Sequence, residues 1–179
     1  TSFETRSVTT HGLDLGIEGH TDFGADHGTF QFALNASHVL AYNIPAAAVA
    51  PGSACGGTDV AGCRNLGNFA RSIPNWRASL VLSWLKNEHA VFAIAHLVPG
   101  YTDDGAVPWD VKPQPRVDQI DAFFSLDLQY SLRLEYRSRM STTFKVGVKN
   151  AFDSDPPAAN GPLGYDTEIH DPRGRLAYV

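Results

Sequence analysis

Apolar residues along this chain recur at every second position, not at the spacing of about 3.6 that marks a helix. Between 120 and 134 the even positions are Ile120, Ala122, Phe124, Leu126, Leu128, Tyr130, Leu132 and Leu134. The odd positions are Asp121, Phe123, Ser125, Asp127, Gln129, Ser131 and Arg133, polar with one exception. Successive side chains of a strand point to opposite faces, so this stretch predicts one continuously apolar face and one polar face. The alternation returns at 30–44, where His38 interrupts a face carrying Phe30, Phe32, Leu34, Ala36, Leu40, Tyr42 and Ile44. It returns again at 76–85 (Trp76, Ala78, Leu80, Leu82, Trp84) and at 143–152 (Phe144, Val146, Val148, Phe152). Weaker versions lie at 11–19, at 90–98, which is apolar on both faces apart from His96, and at 175–179. Seven strands are predicted.

The connectors alternate in length. Those at 22–29, 86–89 and 135–141 are short, whereas 45–74, 100–119 and 153–174 are long and rich in Pro, Gly and Asp. In an antiparallel meander this rhythm gathers the long loops on one rim and the tight turns on the other. Strand length then separates two architectures. Soluble strands are usually about 5 to 6 residues long, whereas the pattern at 120–134 would span about 50 Å at roughly 3.3 Å per residue. Tilted near 45°, such a strand crosses a hydrocarbon layer of about 30 Å. The predicted fold class is therefore all-β, an antiparallel meander of about seven strands forming part of a transmembrane β-barrel. Trp76 and Trp84, about 26 Å apart along one strand, fit the aromatic girdles of such a barrel. They also fit the core of the alternative, a soluble secreted or periplasmic β-sandwich that binds a ligand, for instance a carbohydrate, with the same loops.

Composition sharpens this picture. Lys and Arg total 14 against 19 Asp and Glu, a formal net charge of -5, which excludes a phosphate-tracking basic surface and with it nucleic acid as a partner. Charged residues are 18% of the chain, below the roughly 25% of ordinary soluble domains, and aromatics reach 11%. No apolar run is long enough for a spanning helix, and the start TSFETRSVTT has neither the basic end nor the apolar run of a signal peptide. A first residue other than Met and an end inside a predicted strand lead us to expect a segment of a longer chain.

Few residues suggest chemistry. Cys55 and Cys63 share a Gly-rich loop without nearby His, a poor zinc site but a good local disulfide, which implies an oxidising compartment. The seven histidines show no metal-ligand spacing and are expected to be solvated or to face a lumen; Asp103-Asp104 and Asp153-x-Asp155 lack the order of a calcium loop and read as solvated loop carboxylates. The chain has no GxSxG, phosphate loop or HExxH. No catalytic residue, metal or cofactor is assigned, and the chain is not read as an enzyme.

The run Phe144-Lys145-Val146-Gly147-Val148-Lys149-Asn150-Ala151-Phe152-Asp153, followed by Asp155-Pro156-Pro157, Gly164-Tyr165-Asp166 and Asp171-Pro172-Arg173-Gly174-Arg175, resembles the C-terminal barrel strands of TonB-dependent outer-membrane receptors. Gly12-Leu13-Asp14-Leu15-Gly16, Pro74-Asn75-Trp76-Arg77-Ala78 and Asp127-Leu128-Gln129-Tyr130 are similar to other strands of that family. The likeness spans residues 1–179. It implies the last third of a plugged, 22-stranded barrel in the outer membrane of a Gram-negative bacterium, without the family's plug domain, TonB box and closing aromatic. By the same likeness the intact receptor imports a scarce ligand, such as a ferric siderophore, cobalamin or a glycan. Its partners would be outer-membrane lipid, its own plug and remaining strands, TonB acting through the plug, and the imported ligand. Tyr101, Trp109, Arg116, Tyr165 and Arg173, on the long loops, are the expected ligand-side residues, with Cys55 and Cys63 on the extracellular rim.

Overall fold

The computed structural model describes residues 7–46, 55, 57–65, 71–104, 117–136 and 140–179. Among these residues eleven strands follow one another: β1 (Thr9–Asp22), β2 (Thr29–Asn43), β3 (Cys63–Asn65), β4 (Arg71–Ile73), β5 (Trp76–Lys86), β6 (His89–Val98), β7 (Tyr101–Asp103), β8 (Gln119–Ile120), β9 (Phe123–Tyr136), β10 (Met140–Lys149) and β11 (Leu176–Tyr178). Seven of them make one antiparallel sheet in the order β1-β2-β5-β6-β9-β10-β11, so every neighbour in space is the next long strand in sequence. The other four form a small second sheet, β4-β3-β7-β8, in which β3 and β7 run parallel. No α-helix occurs among the described residues.

The register turns the alternation of each strand into a face of the whole sheet, because residues directly opposite one another project to the same side. Ile17, Leu34, Leu80, Ala95 and Leu126 form one cross-strand row, and Phe32, Leu82, Ala93, Leu128, Val148 and Ala177 form the next. One residue along lies a polar row, Gln31, Ser83, Phe92, Gln129, Gly147 and Tyr178. Gly147 is required there. A Cβ on it would collide with the Tyr178 ring, which crosses it to donate its hydroxyl to Gln129 Oε1 at 3.1 Å.

Nothing among the described residues covers the apolar face. Leu13 is 63% exposed and Phe144 57%, and Leu15, Ile17, Phe30, Phe32, Leu82, Leu97, Phe124, Leu128 and Val146 are exposed with them. Among the described residues the buried apolar ones are Ile44, Val60, Cys63, Tyr101, Ile120 and Ala159. They sit in two clusters at the rim where the long connectors run. The core therefore belongs to the loops.

Several strand limits differ from those the alternation predicts. Ile120 is apolar in phase with Phe124, yet it lies in β8 and is buried against Tyr101 and Ala159; the long strand starts at Phe123. Tyr42 and Ile44 also leave the predicted face. His11 pairs with Ala41 and Gly12 with Val39, so Leu40 is unmatched, and one unmatched residue reverses the alternation beyond it. Tyr42 and Ile44 then pack with Val60, Cys63 and Ile73 of the first long connector. β10 stops at Lys149, because Asn150 and Asp153 adopt left-handed backbone, φ 48° and 57°, and turn the chain out of the sheet. The long connectors thus carry strands of their own among the described residues: 45–74 contains β3 and β4, and 100–119 contains β7 and the start of β8.

Candidate functional site

The three long connectors meet in a cap whose interior is charged. Arg64, from the first, sends Nη1 to both carboxylate oxygens of Asp103, from the second, at 3.1 Å each. The same nitrogen donates to the carbonyl oxygen of Asn160, from the third connector, while Arg64 Nε lies 3.7 Å from Asp166 Oδ2. Asp103 Oδ2 also accepts the Asn160 amide at 2.6 Å, and the Asn160 side chain bridges the backbone N–H and C=O of Val117. Asp103 is 0% exposed and Arg64 5%. Charges taken that far from water persist only where each meets its opposite and the remaining valences are hydrogen-bonded. One arginine of the first connector serves an aspartate from each of the other two, and so ties the three together.

A second layer stands on Asp166. The Tyr101 hydroxyl donates to Asp166 Oδ2 at 2.7 Å, and the same hydroxyl lies 3.3 Å from His170 Nε2. Burial first, and then the adjacent Asp166 carboxylate, hold the Tyr101 hydroxyl protonated far above the ordinary phenol range. The His170 ring lies between Tyr101, stacked at 6.3 Å, and Phe123 of β9, edge-on at 5.0 Å. Its Nδ1 is buried without a hydrogen-bond partner among the described residues.

Beneath the third connector the polar face of the sheet opens into a cleft of about 260 Å³. His96, Phe123, Ser125, Asp127 and Lys149 come from β6, β9 and β10, and Asn150, Asp171, Arg173 and Gly174 close it. Asp127 Oδ1 accepts the Asn150 amide at 2.8 Å, while Asn150 exchanges two 2.9 Å bonds with Ser154. Those bonds hold the corner that follows β10. Arg173 Nε grips both oxygens of Asp171, at 3.0 and 2.9 Å, and brings the Asp171 pKa down to about 2. Asp153 plays a similar part outside the cleft: it accepts the Arg175 amide at 2.7 Å where β11 begins, which lowers its pKa. The cleft offers a cation, Lys149, a carboxylate, imidazole and hydroxyl groups, and an aromatic edge, a set suited to holding a polar solute. Among the described residues no group of three or more His, Cys, Asp or Glu side chains could hold a metal ion.

The residues expected to face a ligand scatter. Arg173 lines the cleft. Tyr165 is half-buried in an isolated bridge with Ala158. Tyr101 is 3% exposed, inside the cap, where its side chain reaches Asp166 and His170 and no open surface. Trp109 and Arg116 lie outside the described residues. Cys55 and Cys63 are joined by a disulfide, their Cα atoms 6.0 Å apart, with Cys63 directly before Arg64. Two expectations need correction. Asp103 is a buried ion-pair partner and no solvated loop carboxylate, and His170 is buried too, where solvated or lumen-facing histidines were expected. Arg64, Asn160 and Asp166 carry no spacing signal, since the partners that place them in the cap come from other connectors, 39 residues away or more. The one local hint is the arginine immediately after Cys63 in a Gly-rich loop.

Comparison with protein-family models, curated proteins and solved structures gives no match.

Proposed function

We propose that this chain supplies seven strands and the outer rim of a transmembrane β-barrel in a Gram-negative outer membrane, as part of a TonB-dependent receptor that imports a scarce ligand. The observation that carries the reading is the sheet's apolar face, which runs across all seven strands with none of the described residues against it. Soluble monomers rarely expose more than a few hundred Å² of contiguous apolar surface. A β-sandwich would set its second sheet on this face, but the small sheet packs on the rim clusters instead. Lipid is the solvent that such a face suits.

Strand length agrees. The 14 residues of β9 reach about 46 Å at roughly 3.3 Å each, enough to cross the hydrocarbon layer at a tilt near 45°. Aromatic groups stand at both ends of the band. His38 stacks on Trp76 at 3.9 Å toward the long loops, and Phe23, Phe30 and Trp84 cluster at the tight turns, where Trp84 Nε1 donates to the His27 carbonyl at 2.7 Å. An apolar ring with a polar tip is the side chain that suits a membrane interface. β1 and β11 each have a single neighbour, so closure calls for further strands, in keeping with a larger barrel. The polar face and its cleft would then line the lumen, with the cap on the ligand side.

Spin labels on cysteines replacing Ala93 and Ile94, adjacent residues of opposite faces, test the reading in protein returned to phospholipid vesicles. The label at 93 should be relaxed by oxygen dissolved in lipid, and the label at 94 by a water-soluble nickel chelate. Equal accessibility overturns the reading. So does a monomeric, cooperatively melting species in detergent-free buffer, which would restore the soluble binding module.

A further inference from the structure

We propose that the cap is a proton-released latch: while His170 is neutral the 158–170 segment stays docked on Tyr101 and Phe123, and protonation of His170 undocks it together with the Asp171–Arg173 wall of the cleft. This stands on the cap alone and does not depend on what covers the apolar face.

The tautomer follows from the hydrogen bonds. The Tyr101 hydroxyl gives its proton to Asp166, at 2.7 Å, and so can only accept from His170. His170 therefore carries its hydrogen on Nε2, and Nδ1 is a bare acceptor with no partner among the described residues. Protonation would place a second N–H, and a positive charge, in that partnerless position beside two aromatic rings. A buried donor left unsatisfied is costly, more so when charged.

The charges around the ring do not rescue it. On its own segment Asp166 favours the imidazolium, but its Oδ2 already receives the Tyr101 hydroxyl and faces Arg64 of β3 at 3.7 Å. Glu168 lies two residues away and is exposed, and Asp171, the next residue, is held by Arg173. On β7, Asp103 is committed to Arg64. From β5, Arg77 opposes a second positive charge, and β9 presents the Phe123 ring. The balance keeps His170 below its ordinary value of 6.5: burial is the main cause, Asp166 opposes it and Arg77 adds to it. A group whose pKa is depressed on folding contributes its stability above the unfolded value and loses it as pH falls. The latch is therefore shut above pH 6.5 and opens as pH falls from there through the lower value that His170 has in the cap.

What opens is defined by the bonds of that segment. His170 N donates to Asp166 O at 3.0 Å, Ala159 N to Gly164 O at 2.9 Å, and Asn160 N to Asp103 Oδ2 at 2.6 Å. Undocking exposes these amides and moves the wall formed by Asp171, Arg173 and Gly174 away from Phe123, Ser125 and His96.

Amide hydrogen exchange on the full chain in detergent, corrected for the chemical rate, tests this at about pH 7.5 and about pH 5. Protection at residues 159, 160 and 170 should fall by about tenfold or more at the lower pH, while β5 and β6 keep theirs. His170→Gln, which cannot gain the proton, should abolish the difference. Equal protection at both pH values overturns the latch, as does a difference that survives in His170→Gln. Should that variant fail to fold, the imidazole carbon resonances of the unmodified chain decide. A His170 titration coinciding with the loss of protection supports the proposal, and one displaced from it overturns it.

Discussion

In the seven-stranded sheet each strand is hydrogen-bonded to its neighbours in the ladder, and side chains such as Leu13, Leu82 and Phe144 end in open space. In the cap, segments from three connectors close around Arg64, and Asp103, Asp166 and His170 are almost wholly withdrawn from solvent. The sheet is held by its backbone ladder and leaves its apolar face to be satisfied by whatever surrounds it. The cap holds the two buried apolar clusters and is tied together between them by paired charges, each placed by the other. A ladder tolerates a changed side chain, because its hydrogen bonds belong to the backbone, whereas a buried charge network loses several contacts when one member goes. The element that spans and the element that meets solutes are therefore expected to fail separately.

The largest separation should come from Arg64→Leu. Removing one partner of a buried charge cluster typically costs about 3 to 5 kcal/mol, here by leaving Asp103 and Asp166 uncompensated. Hydrogen exchange should show the cap open and β1, β2, β5 and β6 unchanged. Loss of protection throughout would show the two regions to be one cooperative unit.

Leu82→Arg probes the sheet from its apolar side. In a bilayer an arginine near the midplane of a barrel's outer face costs about 2 to 4 kcal/mol, whereas an exposed site in water would shift stability by no more than about 0.5 kcal/mol. Denaturant titration in vesicles should give the larger value and leave the cap's exchange untouched.

Reduction of the Cys55–Cys63 disulfide acts on the cap through the chain entropy of its first connector. The two residues are 8 apart, and a loop of that size is worth roughly 2 to 3 kcal/mol in the chain-entropy model. Reduced protein should lose protection first around β3 and at Asp104, whose amide donates to the Arg64 carbonyl at 2.9 Å. The sheet should keep its own.

The smallest effect is local. Arg173→Ala frees Asp171, whose pKa should climb from about 2 toward the ordinary 3.8. Carboxyl carbon resonances followed through an acid titration measure this directly. Because Asp171 is depressed by its partner, any stability it lends is present above pH 3.8 and is lost as pH falls toward 2. A value that stays near 2 would mean that Lys149, across the cleft, holds the carboxylate by itself.

Period-two alternation determined the sheet from the sequence alone, because a strand's two faces are fixed by its own consecutive residues and the apolar set of 120–134 is visible without any partner. Connector lengths likewise foretold which strands are neighbours and which rim holds the loops. Only the tertiary structure decided where that logic stops. Leu40 reverses the phase of Tyr42 and Ile44 because β1 has no residue to match it, which is a property of a pair of strands and absent from either one. Ile120 continues the pattern in sequence but leaves it in space, drawn into contact with Tyr101 and Ala159. The cap was hidden for a stronger form of the same reason: Arg64, Asp103 and Asp166 are each ordinary loop charges by themselves. They become buried partners only when connectors far apart in sequence are brought to one rim by the sheet beneath them.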